Sequence, residues 1–156
     1  MKLAPVAVRS GEAGDREFVR DLGRRSAASS LSAVRGGREA DVALALERLV
    51  TFVYEREHVA LIGELGGRRV GFLLLVFDIP DEVTLTEQAF IAYAAVEPEA
   101  RRNGVGRALV DEAERRARAA GRRYLSLMVT EDNAAARALY DGSAFVTERR
   151  LMTKAL

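Results

Sequence analysis

Residues 89–129 decide the fold: AFIAYAAV (89–96), EPEARRN (97–103), GVGRALVDEAERRARAAG (104–121) and RRYLSLMV (122–129). Ala89–Val96 is an almost wholly apolar run, the pattern of a strand covered on both faces. From about Gly104 to Ala120 the apolar residues Val105, Leu109 and Ala113 recur at helical spacing, and Gly121 follows as a C′ residue. Tyr124–Val129 is a second apolar run, read as another central strand. A strand, a helix of this length and a strand form a crossover between parallel neighbours.

Outward from this unit, His58–Leu65 and Arg69–Phe77 are apolar runs joined by Gly66-Gly67-Arg68, a hairpin signal. Ahead of the hairpin, Asp41 to about Tyr54 predicts a helix with Val42, Leu44, Leu46, Leu49, Val50 and Val53 on its apolar face. Earlier still, Asp15 caps a predicted helix carrying Phe18, Val19 and Leu22, and Lys2–Arg9 holds a short strand-like patch at Val6 and Val8. The small and polar stretch Gly23–Ala40 reads as a mobile connector, and a loop of that length more often covers a ligand than serves nothing. Past the crossover, Asn133–Tyr140 predicts a short helix, and Phe145–Leu156 two short closing strands that leave room for a homodimer edge. The expectation is a single α/β (α+β) domain over residues 1–156, with a mixed sheet flanked by helices.

Composition narrows the function. The 156 residues include no cysteine and no tryptophan, which excludes disulfides, cysteine-ligated metal and thiol nucleophiles. With 24 basic and 23 acidic side chains the net charge is +1, and the arginines are interspersed with acids rather than gathered in a basic stripe. A nucleic-acid partner is therefore not expected. No apolar run approaches the roughly 18–20 residues of a membrane span, and the first residues lack the apolar stretch of a secretory signal, so the expected setting is cytoplasmic. Asp111 with Arg115, Glu112 with Arg116, and Glu114 with Arg118 are spaced as i,i+4 pairs that support the long helix.

The chemistry sits where the first crossover strand meets its helix. Gly104 and Gly106 bracket one residue at a helix start, where unpaired N–H groups and the helix dipole favour an anion, and Arg101, Arg102 and Arg107 add full charge. A helix start whose glycines merely permit tight packing is the plain alternative. The dinucleotide fingerprint needs a third small residue where this chain has Leu109, and the Walker pattern needs a lysine absent between Lys2 and Lys154.

The run Arg101-Arg102-Asn103-Gly104-Val105-Gly106 resembles the acetyl-CoA-binding signature [QR]-x-x-G-x-[GA] of the GCN5-related N-acetyltransferase (GNAT) family. Asn133-Ala134-Ala135-Ala136-Arg137-Ala138-Leu139-Tyr140 is similar to that family's N-x-x-A-x-x-L-Y segment, although Ala144 precedes Phe145 where the family usually has glycine. The resemblance implies a sheet splayed between its two central strands and acetyl transfer from acetyl-CoA, as cosubstrate and without metal, to a primary amine by direct attack. It implies a pantetheine arm along Ala94, Ala95 and Val96, a diphosphate on residues 101–107, Asn133 and Ala136 beside the arm, and Tyr140 as proton donor to the departing thiolate. Asn133 has a structural reading as a helix cap, and Tyr140 one as a packed ring. The general base stays open: Glu87 is the best-placed acid, with Asp81 and Glu82 behind it. Tyr93 either lines the acceptor pocket or packs in the core, and the lone His58 reads as structural. The acceptor is a small-molecule or peptide amine, and the competing class is an acyl-CoA-binding sensor without turnover.

Overall fold

The computed structural model describes residues 4–156. Lys2, at the head of the first predicted strand, lies outside them. Five strands form one sheet in the order β1-β2-β3-β4-β5: β1 (Val6–Ser10), β2 (His58–Leu65), β3 (Arg68–Val76), β4 (Ala89–Val96) and β5 (Leu125–Leu127). Helices α1 (Arg16–Ser26), α2 (Glu39–Tyr54), α3 (Val105–Ala119) and α4 (Ala134–Asp141) complete the fold. The first four strands run antiparallel to their neighbours, and β4 and β5 pair parallel, as the crossover pattern requires. The hairpin turn is the glycine pair alone, with φ of 60° at Gly66 and 78° at Gly67, the left-handed geometry that matches strand twist.

The sheet is buried on both faces. One side packs Leu61, Leu73, Leu75 and Ile91 against Val105, Leu109, Val110 and Ala113 of α3. The other packs Ile62, Phe72, Leu74 and Val76 against Val19 and Leu22 of α1 and Leu46, Val50 and Val53 of α2. Helix α3 approaches closely because two facing strand residues, Gly63 and Gly71, have no side chain; a Cβ on Gly63 would lie 2.8 Å from Val105 Cγ1. Leu44, expected on the apolar face of α2, is 51% exposed, because that face is centred on Leu46, Val50 and Val53 instead.

Three further expectations are corrected. The connector Gly23–Ala40 is shorter and more ordered than its composition suggests: α1 runs on to Ser26 and a 3-10 turn covers Ala27–Ser30. Its serines prolong the turn, with Ser26 Oγ donating to the Gly23 carbonyl and Ser29 Oγ to that of Ser26. On α3, Asp111 pairs with Arg107 at 3.0 Å, while Arg115 turns back to Glu112. The pairs Glu112–Arg116 and Glu114–Arg118 form as spaced. Finally, Tyr124–Val129 yields only the three-residue β5, at the edge of the sheet rather than its centre, and Phe145–Leu156 makes no strand.

Asp15 ties the chain's beginning to the sheet. Its side chain is 6% exposed and receives Arg9 of β1 at 2.7 Å and Arg69 of β3 at 3.0 Å, while Oδ2 also accepts the Glu12 N–H. Arg9 above all holds this carboxyl well below the usual carboxylate range. A carboxyl depressed in the folded state stabilises fully above its unfolded value of about 4, and the contribution fades as pH falls below it. Asp15→Ala is therefore expected to lower the unfolding free energy by about 2–3 kcal/mol at neutral pH. The gap between parent and variant should narrow in urea melts as the pH is lowered from 4 towards 2.

Candidate active site

Strand β4 carries one residue more than β3 opposite it. Tyr93 faces Leu74 and Ile91 faces Leu75, leaving Ala92 unmatched as a bulge. Ala89, Ile91, Ala94 and Val96 consequently pack on the α3 side, while Phe90, Ala92, Tyr93 and Ala95 pack towards α1 and α2. Pairing with β5 covers Ala89, Phe90 and Ile91 opposite Leu125, Ser126 and Leu127, and stops where the bulge begins. From Tyr93 to Val96 the strand is paired to β3 alone. Alternate peptide groups there point away from β3, into the gap left by β5.

The gap opens towards the β4–α3 loop. Glu97 N–H donates to the Val70 carbonyl, a 3-10 turn over Pro98–Ala100 follows, and Ala100 is buried beneath it. Arg102 and Gly104 both adopt left-handed backbone, with φ of 62° and 83°. No side chain caps α3 at Gly104, so the first N–H groups of the helix are left for another partner. A Cβ at Gly104 would meet nothing within 4 Å, whereas one at Gly106 would lie 3.2 Å from Leu139 of α4. Gly104 thus serves the turn and an open approach, and Gly106 serves packing.

The arginines of this region divide by role. Arg101 and Arg102 are exposed and have no carboxylate within ion-pair distance among the described residues. Arg107 is committed elsewhere, with Nε on Asp111 and Nη1 on the Gly142 carbonyl at 2.7 Å. Asn103 turns inward: its Nδ2 donates to the carbonyls of Ala100 and Arg101, so its side chain braces the loop. The packing of Gly106 is the plain alternative its spacing allowed, whereas the engagements of Arg107 and Asn103 were not legible in theirs.

Across the gap, Asn133 caps α4, its Oδ1 accepting the Ala136 N–H at 3.1 Å. The far end of α4 closes in a Schellman motif: Phe145 N–H reaches the Tyr140 carbonyl, and Ala144 N–H that of Asp141. The apolar contact that accompanies such a motif is here Tyr140 against Phe145, edge to face with ring centres 5.6 Å apart. Burial, with the nearby Tyr93 adding to it, pushes the Tyr140 phenol above its ordinary value, so it stays a proton donor. Tyr93 stacks on Phe72 and shares a 3.0 Å hydrogen bond with Ser26 at the end of α1.

Two helical connections frame the gap. Arg25 forks onto Glu97 at 2.7 and 2.8 Å, fixing the end of α1 to the end of β4. Thr130 Oγ1 donates to the Ser30 carbonyl, and Asp132 accepts the Ala33 N–H, drawing the α1–α2 connector over the chain that follows β5.

The acids on and beside the 78–88 connector are mostly engaged. Asp78 pairs with Arg56, and Asp81 with Arg149 while also accepting from Thr84. The Glu87 side chain is 79% exposed, pairs with Arg122 at 3.4 Å and precedes β4. It stands six residues before Tyr93, roughly 20 Å along a strand. Glu87 thus lies at the opposite end of β4 from the loop that leads into α3. His58 lies at that same remote end, its Nδ1 on the Arg56 carbonyl and its ring against Tyr54, beside a hollow of about 230 Å³.

Ala144 holds φ of 64°, a left-handed conformation costly to any residue with a Cβ. Ala144→Gly is expected to raise the unfolding free energy by about 1 kcal/mol in chemical denaturation, while Ala144→Val lowers it.

The comparisons agree with this geometry. No curated protein sequence matches the chain significantly. Among solved structures, a Pyrococcus furiosus protein provisionally classed as an acetyl transferase is 23% identical, with 97% of this chain and 100% of that one covered at a TM-score of 0.81. A GCN5-related N-acetyltransferase from Ralstonia eutropha is 18% identical, with 97% and 99% covered at a TM-score of 0.76. The enzyme AAC(6')-Iy, solved with a bisubstrate analogue of CoA and monomethyl-acetylneamine, is 17% identical, with 98% and 99% covered at a TM-score of 0.70. At these identities the likeness is one of fold. The family model of the GNAT acetyltransferases matches residues 31–145, spanning α2 to α4, and the chain belongs to that family.

Proposed function

We propose that this chain transfers the acetyl group of acetyl-CoA directly to a primary amine, with both substrates bound at once. The observation that carries the reading is the parting of β4 from β5 beyond Ile91 and Leu127, opening onto the uncapped start of α3. The open space at Gly104 and the unpaired guanidinium groups of Arg101 and Arg102 suit a diphosphate, which would take the N–H groups of Val105, Gly106 and Arg107. The pantetheine arm would lie along Ala94, Ala95 and Val96 in place of a strand, with Asn133 and Ala136 across the gap. Arg107 and Asn103 then contribute through their backbone and through loop shape.

In this reading a main-chain N–H of β4 stabilises the oxyanion as the neutral amine attacks the thioester carbon. The new C–N bond forms, the C–S bond breaks, the thiolate takes the Tyr140 proton, and Tyr140 regains a proton from water. The excess proton of the amine passes to water at the open mouth, and Glu87 has no direct part. The acceptor is a small-molecule or peptide amine entering between the connectors at 27–38 and 78–88. The named neighbours include an aminoglycoside N-acetyltransferase and a ribosomal-protein-alanine N-acetyltransferase, which span that range of amines.

Tyr140→Phe is expected to reduce kcat about 100-fold while calorimetry finds CoA affinity unchanged. A variant that keeps full turnover would remove Tyr140 from the chemistry. Because burial raises its pKa, the loss of activity that marks deprotonation of Tyr140 should come only in the alkaline range above about 10. Joint replacement Arg101→Glu and Arg102→Glu is expected to weaken CoA binding more than tenfold, measured by thermal shift against ligand concentration. NAD or ATP stabilising the protein in preference to CoA would overturn the reading.

A further inference from the structure

The chemistry above leaves the N–H groups of the incoming amine without a partner. Tyr93 is the first residue of β4 past the unmatched Ala92, in the half of the strand that β5 leaves free. Its ring stacks on the fully buried Phe72, with centroids 6.0 Å apart and planes at 27°. Its hydroxyl lies 3.0 Å from Oγ of Ser26, the last residue of α1. Ring and oxygen are therefore both held in place.

The direction of that hydrogen bond follows from counting protons. A serine hydroxyl has a single hydrogen, and Ser26 Oγ gives it to the Gly23 carbonyl at 3.0 Å, a group that can only accept. Between Ser26 and Tyr93 the donor is then the phenol. The bonds run from Tyr93 through Ser26 to a carbonyl in the last turn of α1 and end there. A backbone carbonyl carries no proton away, so Tyr93 is neither a general base nor a second proton donor. What remains on its oxygen is acceptor capacity, which donation to Ser26 strengthens. The partial negative charge at the C-terminal end of α1 lies behind it.

The gap has one phenol on each face. Tyr93 packs with the α1 and α2 side of the sheet, and Tyr140 with the α3 side. The two are near enough for Tyr93 to add to the upward push on the Tyr140 phenol. A thioester lying between them meets a committed proton on one side and an available one on the other.

We propose that Tyr93 holds the acceptor: its oxygen takes an N–H of the incoming primary amine and so aims the nitrogen lone pair at the thioester carbon. The amine then arrives from the α1 and α2 face, while the thiolate departs towards Tyr140 on the other. The N–H···O bond is made on binding and kept as the C–N bond forms. No proton passes through Tyr93, and the excess proton of the amine still goes to water. Ser26 is a positioning residue, since it acts only by fixing where the phenol proton lies. This assignment rests on the acetyl-transfer reading and deepens it at one atom.

Steady-state rates on four amines, an alanine-ended tripeptide, spermidine, kanamycin and phenethylamine, provide the test. On whichever of them the parent acetylates, Tyr93→Phe keeps the ring stacked on Phe72 and is expected to raise the amine KM about tenfold, with KM for acetyl-CoA unchanged. Ser26→Ala should raise the amine KM several-fold, and Ser26→Thr, which restores the hydroxyl, should bring it back. Tyr140→Phe gives the opposite split, lowering kcat and leaving the amine KM alone. A parental amine KM in Tyr93→Phe would overturn the assignment while leaving acetyl transfer intact. So would a Ser26→Thr variant no better than Ser26→Ala. A parent that acetylates none of the four amines would overturn the transfer reading and this assignment together.

Discussion

A single unmatched residue, Ala92, governs the arrangement around it. A strand in mid-sheet normally bonds on both sides, and two regular neighbours would leave no room for a ligand. The bulge puts Ala92 and Tyr93 on the same face and coincides with the end of the β4–β5 ladder. The arm and the oxyanion in the proposed site both use the main-chain groups released there. The β4 side chains around it are small, Ala92, Ala94 and Ala95, which keeps the gap accessible to an extended arm.

The elements around the gap are joined by bonds that span long stretches of sequence. Arg25 and Ser26, adjacent on α1, reach Glu97 just past β4 and Tyr93 in the half of β4 that β5 leaves free. The next residues bond to Thr130 and Asp132 beyond β5. The α1–α2 connector is thus attached to both walls of the gap, which couples the region proposed for the acceptor to the loop proposed for the diphosphate.

Much of this was legible in the sequence because local rules and tertiary packing agree. The crossover unit, the Gly66-Gly67 turn, the Gly121 helix end and the short helix at Asn133 each combine a period with a boundary residue. The two glycine and asparagine motifs named the family before any geometry was known. Legibility failed where a side chain had several partners within reach. Arg107 reads as a phosphate ligand but bonds to Gly142, Asp111 prefers Arg107 to Arg115, and Asp81 serves Arg149 and its own turn. Serine-rich composition suggested slackness at 23–40, although those hydroxyls fasten the turn. The closing strands failed for a different reason: apolar pairs such as Phe145-Val146 and Leu151-Met152 mark a segment able to pair, but nothing local fixes a partner for it.

The brace at Asn103 has a chemical consequence of its own. One amide nitrogen, through its two hydrogens, holds the carbonyls of Ala100 and Arg101 while a glycine follows immediately. Hydrolysis of that amide to a carboxylate would remove both donors and set a negative charge between two arginines and a helix start that attract anions. The loop would lose its internal fastening and part of its electrostatic pull in the same event. Ageing of this one side chain, visible as a gain of about one mass unit, is therefore where slow covalent damage would fall most heavily on cofactor capture.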